Sequence, residues 1–236
     1  MYFDHFSVSE IGGRSQNEDS VGSTEVHGIS AWIAADGLGG HVHGELASAA
    51  AVESLAAQMN RCMQADDAFI TETFERMNAD VKELNGALTT AVCAFSDGKT
   101  LRYANDGDSR FYFFRKAKVL CHSNDHSLAY ISYLRGDIRY EDIPSSPLQN
   151  RLLHALGGDQ HSGVELYEEL ELQPGDAFLL CTDGFWELVR DGEMENALRI
   201  STTAEDWMSL MLDKLKERLT PHSDNYTAVC VKVSEE

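Results

Sequence analysis

Phe178-Leu179-Leu180-Cys181-Thr182-Asp183-Gly184 is an apolar run that stops on a carboxylate and a glycine. Trp32-Ile33-Ala34-Ala35-Asp36-Gly37 repeats the arrangement, and Asp224-Asn225 stands at the mouth of a further apolar run, Tyr226–Val233. Such β-rich runs, bounded by Gly, Asp, Asn or Pro, read as strands. Asp-Gly by itself is a favoured turn dipeptide. That reading suffices for Asp97-Gly98, Asp106-Gly107 and Asp191-Gly192, which fall between predicted elements. Asp36 and Asp183 differ, because each directly follows a strongly apolar strand. A carboxylate there is held rigidly, and the following glycine lets backbone or ligand approach closely.

Outward from these runs, further strands are predicted at Ile29–Ala35, Leu88–Phe95, Leu101–Ala104 and Arg110–Phe114. Asn105-Asp106-Gly107-Asp108 lies between two of them and reads as a hairpin turn. Helical spacing marks Glu45–Met59, with Val52, Leu55, Ala56 and Met59 on one face, and Asp66–Leu84, with Phe69, Thr73, Met77 and Val81. It also marks Ala204–Leu219, through Trp207, Leu210, Met211 and Leu215, with Thr203 and Asp206 as a capping box. Helices group in the first and last thirds, and short turns could join the strands antiparallel. This predicts an α+β layered fold rather than a regular βαβ alternation. With no repeat, low-complexity tract or linker, residues 1–236 are expected to form one domain. Ala129–Gln149 lacks sustained periodicity and reads as a surface flap near 129–149 that shapes substrate access, or as a long connection.

The 236 residues carry 39 acidic and 19 basic side chains, a formal net charge of −20. That balance repels phosphate backbones, and no basic run offsets it, so no nucleic-acid partner is expected. A solvated acidic surface accounts for such an excess; a metal site would account for part of it. The five cysteines, Cys62, Cys93, Cys121, Cys181 and Cys230, form no C-x-x-C pair. Most sit in apolar stretches as small core residues, which points to a reducing compartment. Residues Met1–Glu10 lack the charge and apolar run of a signal peptide, and no stretch reaches membrane-spanning length. A cytoplasmic protein with no membrane partner is expected.

Asp36, Asp183 and Asp224, each at a strand end in one layered fold, could converge. Hard divalent cations take oxygen ligands, and Mg²⁺ keeps several waters beside one or two carboxylates. Two ions sharing a carboxylate would hold an acidified water aimed at phosphorus. The words around these aspartates sharpen the reading. The chain runs through Arg14-Ser15-Gln16-Asn17-Glu18-Asp19, Asp36-Gly37-Leu38-Gly39-Gly40 and Gly44-Glu45-Leu46-Ala47-Ser48. Gly107-Asp108-Ser109-Arg110, Asp125-His126-Ser127, Thr182-Asp183-Gly184 and Asp224-Asn225-Tyr226-Thr227 follow. In order and spacing, from about Arg14 to Val233, this series resembles the PP2C-type (PPM) metal-dependent Ser/Thr protein phosphatases in their compact bacterial form.

The resemblance implies a four-layer α-β-β-α sandwich, two central antiparallel sheets flanked by helices, with metals at one edge of the sheets. It implies that Asp36 bridges two Mg²⁺ or Mn²⁺ ions, that Gly37 adds its backbone carbonyl, and that Asp183 and Asp224 complete the binuclear site. Glu18 and Asp19 would hold metal-bound waters or sit around the ions. Asp108 would hold a third, weaker ion together with Asp183. Arg14 would grip the substrate phosphate with its planar donor fork. A metal-bridging water would then attack in line with the Ser or Thr oxygen, without a covalent intermediate. The expected partners are phosphorylated Ser/Thr proteins, substrates of a cognate Ser/Thr kinase, met by a monomer.

The sequence departs from the family pattern in places. Leu38 stands where many eukaryotic relatives have a histidine proposed as general acid, so water is expected to protonate the leaving oxygen. His41 and His43 lie nearby and read as surface residues. Asp106 is an extra acid where a small or apolar residue is usual, and a hairpin cap is the expectation. His154 replaces a frequent arginine after the flap. Arg110, His126, Ser127 and Glu187 are expected to brace turns or the surroundings of the site. Two other functions fit parts of the pattern: a binding module of the same fold, which would not need the carboxylates, and a phosphatase of small phosphomonoesters. No P-loop G-x-x-x-x-G-K-[ST] and no G-x-S-x-G elbow occur.

Overall fold

The computed structural model describes residues 1–38, 43–158 and 163–235. In chain order, β1 (Tyr2–Glu10), β2 (Asp19–Val26) and β3 (Ile29–Asp36) precede α1 (Gly44–Met59) and α2 (Asp67–Lys82). Strands β4 (Ala91–Ser96), β5 (Thr100–Asp106), β6 (Arg110–Arg115) and β7 (Lys118–His122) lead to α3 (Leu128–Leu134) and a 3₁₀ turn, Tyr140–Ser145. Short strands β8 (Glu165–Leu166) and β9 (Leu170–Glu171) precede β10 (Ala177–Cys181). Helices α4 (Asp183–Trp186), α5 (Asp191–Ile200) and α6 (Ala204–Lys216) then lead to β11 (Tyr226–Ser234).

Two antiparallel sheets result. One has the order β1-β11-β10-β6-β7; the other runs β2-β3-β4-β5-β8, with β9 also on β5. Side-chain alternation explains why both can be central. In β3, Trp32 and Ala34 join Val92, Phe111, Phe113, Phe178, Leu180, Val229 and Val231 in a core between the sheets. Ala31, Ile33 and Ala35 face the other way, against Ala47, Ala51 and Leu55 of α1 and Phe74 and Met77 of α2. In β10, Leu179 and Cys181 likewise turn outward onto Trp186, Trp207, Met208, Met211 and Leu215. Strands covered on both faces carry no polar side, so they read as continuous apolar runs. The layers are helix, sheet, sheet, helix.

The main helices and strands match expectation closely. α6 starts at Thr203, whose side chain accepts from Asp206 N in a reciprocal capping box. The buried face of α1 is rotated from the predicted one. Ala47, Ser48, Ala51, Ser54, Leu55 and Met59 are buried, whereas Ala56 is exposed. Small residues let this helix lie close to β2 and β3, and an alanine-rich stretch does not reveal which stripe does so. β1 and β2 fall outside the predicted strands; both are edge strands, half exposed, with mixed polar and apolar residues. The region near 129–149 is more regular than expected, holding α3, capped by Ser127, and the 3₁₀ turn.

One expectation is overturned. Asn105–Asp108 is not a hairpin turn: β5 and β6 belong to different sheets, and the segment carries the chain from one to the other. Asp106 accordingly caps no hairpin. It pairs with Ala91 in the β4–β5 register, and its side chain is buried against His154.

Candidate active site

The antiparallel register places the acids at one edge of both sheets. Asp19 opens β2 and sits opposite Asp36, the last residue of β3. In the other sheet, β10 ends at Cys181, opposite Ala228 near the start of β11. Asp183 therefore leaves β10 where Asp224 approaches β11. Asp108 arrives on the crossing between β5 and β6. Arg14, Glu18, Asp36, Gly37, Leu38, Asp108, Asp183 and Asp224 all line one cleft of about 490 Å³. Asp19 lies just beneath it, buried, its Oδ2 accepting from Thr182 Oγ1 at 2.8 Å.

Backbone contacts hold this edge together. Gly37 N donates to Glu18 O (3.0 Å), and Thr90 N donates to Asp36 O (2.8 Å). Asp36 N donates to Thr90 Oγ1 (3.1 Å), and Thr89 Oγ1 donates to Asp36 O (2.8 Å). A Cβ on Gly37 would lie 2.1 Å from Gly44 O, and one on Gly184 would lie 2.0 Å from Asn225 O. The glycine after each strand-end aspartate thus admits a neighbouring backbone, as its position suggests. Asn225 ties three segments together: its Oδ1 accepts from Glu18 N, and its Nδ2 donates to Ile11 O and Gln16 O.

Burial raises the carboxyls. Asp36 and Asp108 stand well above the ordinary range, burial being the first cause and the neighbouring Asp183 the next. Asp19 is pushed up to about 7 by burial, against the hydrogen bond from Thr182. Asp183 rises to about 6 through burial and the charge of Asp224. Glu187, behind the cleft, rises to about 8 through burial and Asp183. Acids packed this closely cannot all ionise without a compensating positive charge. Asp183 Oδ1 is buried with no hydrogen-bond partner among the described residues. An all-oxygen donor set with an orphaned carboxylate oxygen fits hard divalent cations.

Arg14 stands at the rim, about half exposed, with one guanidinium nitrogen 2.6 Å from Asp224 Oδ2. Gln149 Nε2 donates to Asp108 Oδ2 (3.1 Å), and Trp186 Nε1 donates to Asp108 O (3.0 Å). Gln149, at the end of the flap, carries no sequence signal; Asn150, Arg151 and Leu152, which line the cleft, open the segment after the flap that resembles the family, although local spacing does not orient them. Leu88, Leu128 and Leu152 form an apolar wall with Leu38. Arg110 lies behind, bonded through two nitrogens to Asp125 (2.7 and 2.6 Å) and stacked 3.6 Å from the Trp186 ring. It braces the site, as expected. His43 is exposed, 3.8 Å from Glu45. His41 lies outside the described residues.

A model of the protein phosphatase 2C family matches residues 8–223. The chain belongs to that family, and with it to the serine/threonine protein phosphatases. The serine/threonine phosphatase stp of Listeria innocua is 30% identical over 232 residues, covering 93% of this chain and 91% of the relative. The structure of the serine/threonine phosphatase Stp1 of Staphylococcus aureus is similar in fold, with a TM-score of 0.89 at 24% identity, covering 100% of this chain and 96% of the other. The catalytic domain of the serine/threonine protein phosphatase PstP, solved in complex with two manganese ions, has a TM-score of 0.82 at 26% identity and 99% coverage of both chains. The four-layer fold expected from the sequence is the fold of these phosphatases. Among the described residues, no helix is long and apolar enough to cross a membrane.

Proposed function

We propose that the chain removes phosphate from phosphoserine and phosphothreonine residues of proteins at the acid-lined cleft, using two Mg²⁺ or Mn²⁺ ions and a third, weaker one. The convergence of Asp36, Asp108, Asp183 and Asp224 beside Arg14 carries this reading. When bound, divalent ions lower the pKa of water and neutralise phosphoryl charge. Asp36, the Gly37 carbonyl, Asp183 and Asp224 would hold the two ions. Asp108, steadied by Gln149, would hold the third with Asp183. Glu18 and Asp19 would hold water beside them. Arg14 turns its guanidinium to the phosphate oxygens and orients the ester for in-line attack.

No residue is phosphorylated on this reading. The described residues lining the cleft include no Ser, Thr, Cys or His, and its carboxylates are the groups assigned to the ions, which leaves water as the nucleophile of this reading. Leu38 cannot donate a proton, and on this reading water protonates the leaving oxygen. Residues 1–236 act as one phosphatase domain, with 129–149 as a flap beside the cleft. The working form is a cytoplasmic monomer acting on substrates of a cognate Ser/Thr kinase. The test is phosphate release from a phosphothreonine peptide, with Mn²⁺ and with chelator. Turnover requires the ion and drops by about 10²-fold or more in Asp183→Asn. Full turnover by that variant would overturn the proposal.

A further inference from the structure

A second cluster of metal-ligating side chains is formed by residues that do not line the cleft. Asp106 ends β5 and is fully buried, His126 follows β7, and His154 follows the flap. One ligand atom from each lies within 4.8 Å of the others. His154 Nδ1 is 2.6 Å from Asp106 Oδ1, and His126 Nδ1 is 3.8 Å from the same oxygen. The two imidazole centres are 4.2 Å apart. Asp106 and His154 lie on segments far apart in the chain. Separated by 48 positions, they meet here.

We propose that Asp106, His126 and His154 form a site for a transition-metal cation, Zn²⁺ by ligand chemistry, distinct from the oxygen-lined cleft. Two imidazoles with one carboxylate are a three-ligand set that leaves a position for water. Nitrogen donors favour zinc-like ions, whereas the all-oxygen cleft favours Mg²⁺ and Mn²⁺, so the two sites sort ions by donor type. His126 has the outer partner that orients a metal-bound ring: its Nε2 lies 2.9 Å from Glu165 Oε2, and Asn124 Nδ2 holds Glu165 Oε1 at 2.7 Å. His154 is partly exposed and gives the ion a way in.

The ring nitrogens must be bare to bind. Burial opposes the charged form of His126, but hydrogen bonds and charge from Asp106 and Glu165 outweigh it and raise the ring to about 9 as a proton site. Against that, Gly107 N donates to His126 Nδ1 at 3.0 Å. A backbone N–H can only donate, so Nδ1 accepts from it and the proton sits on Nε2, facing Glu165; an ion at Nδ1 must compete with Gly107 for that lone pair. The ion displaces the Gly107 hydrogen bond, so it binds less tightly than in a closed structural zinc site.

Co²⁺ serves as the probe, added to the folded chain with excess Mg²⁺ in the cleft. Imidazole-ligated tetrahedral cobalt absorbs strongly in the visible, and about one equivalent is expected to do so. The band persists in Asp183→Asn, which alters only the cleft. It disappears in His154→Ala and in His154→Gln. The glutamine amide can still donate to Asp106, and melting by circular dichroism checks that the variants fold. The proposal is overturned by a wild type without the band, by an equal band in folded His154→Gln, or by a band lost in Asp183→Asn.

Discussion

Arg14 and Asp224 hold each other across 2.6 Å at the rim of the cleft, the residue read as gripping phosphate against one read as holding metal. The pair links the two ends of the chain, 210 positions apart. Freed from Arg14, Asp224 has more negative field to offer a cation. Arg14→Ala should therefore lower kcat/KM on a phosphopeptide by about 10- to 10²-fold, the worth of one or two charged hydrogen bonds. Mn²⁺ affinity, by titration, should stay level or rise. A parallel fall in both would mean that Arg14 merely supports the fold.

The buried acids should cost stability when no cation is present. In chelator, Asp183→Asn is expected to be more stable than wild type by about 0.5–2 kcal/mol, which raises its melting temperature by about 1–8 °C. Mn²⁺ at a hundredfold excess over its dissociation constant adds about 2.7 kcal/mol to wild type only, and the order inverts. Thermal melts in both conditions test this, and an unchanged order would contradict it.

The pH dependence has an unusual sign. Asp183 and Asp19 are raised to about 6 and about 7, mainly by burial. Between the ordinary carboxylate value and those values the folded chain holds more protons than the unfolded one. Stability therefore falls as pH rises from about 4 to about 7. Below that window both states are protonated and the effect is absent. Melting of the chelated protein should show this decline, shallower in Asp183→Asn and abolished by saturating Mn²⁺. A rise in stability across the window would refute the assignment.

Arg110 and Asp125 are both buried and joined by two hydrogen bonds. Removing one partner leaves an uncompensated charge, so Arg110→Ala should lose about 3–5 kcal/mol in urea unfolding. The double variant Arg110→Met, Asp125→Leu should lose much less. Equal losses would show that packing, rather than the stranded carboxylate, sets the cost.

Much of the site is legible in the amino-acid order alone. Asp36-Gly37 and Asp183-Gly184 stand out because a fully buried strand has no polar side, so a carboxylate at its end is conspicuous. The helices declare themselves through period and caps. β1 and β2 do not, because edge strands covered on one face mix polar and apolar residues. Gln149 is silent for a different reason: an amide at the end of a flap acquires its role from where the flap lands.

Local patterns suffice for the layered class, the principal strands and helices, and the acidic motifs that mark the family. All of these rest on side-chain period and short-range order, which the chain carries whether or not it is folded. That Asn105–Asp108 crosses between sheets, and that Asp106 meets His154, follows from tertiary packing alone. An Asp-Gly corner has the same backbone chemistry whether it turns a hairpin or passes to another layer. Which occurs depends on how two sheets share a core, and that is settled by contacts between residues far apart in the chain.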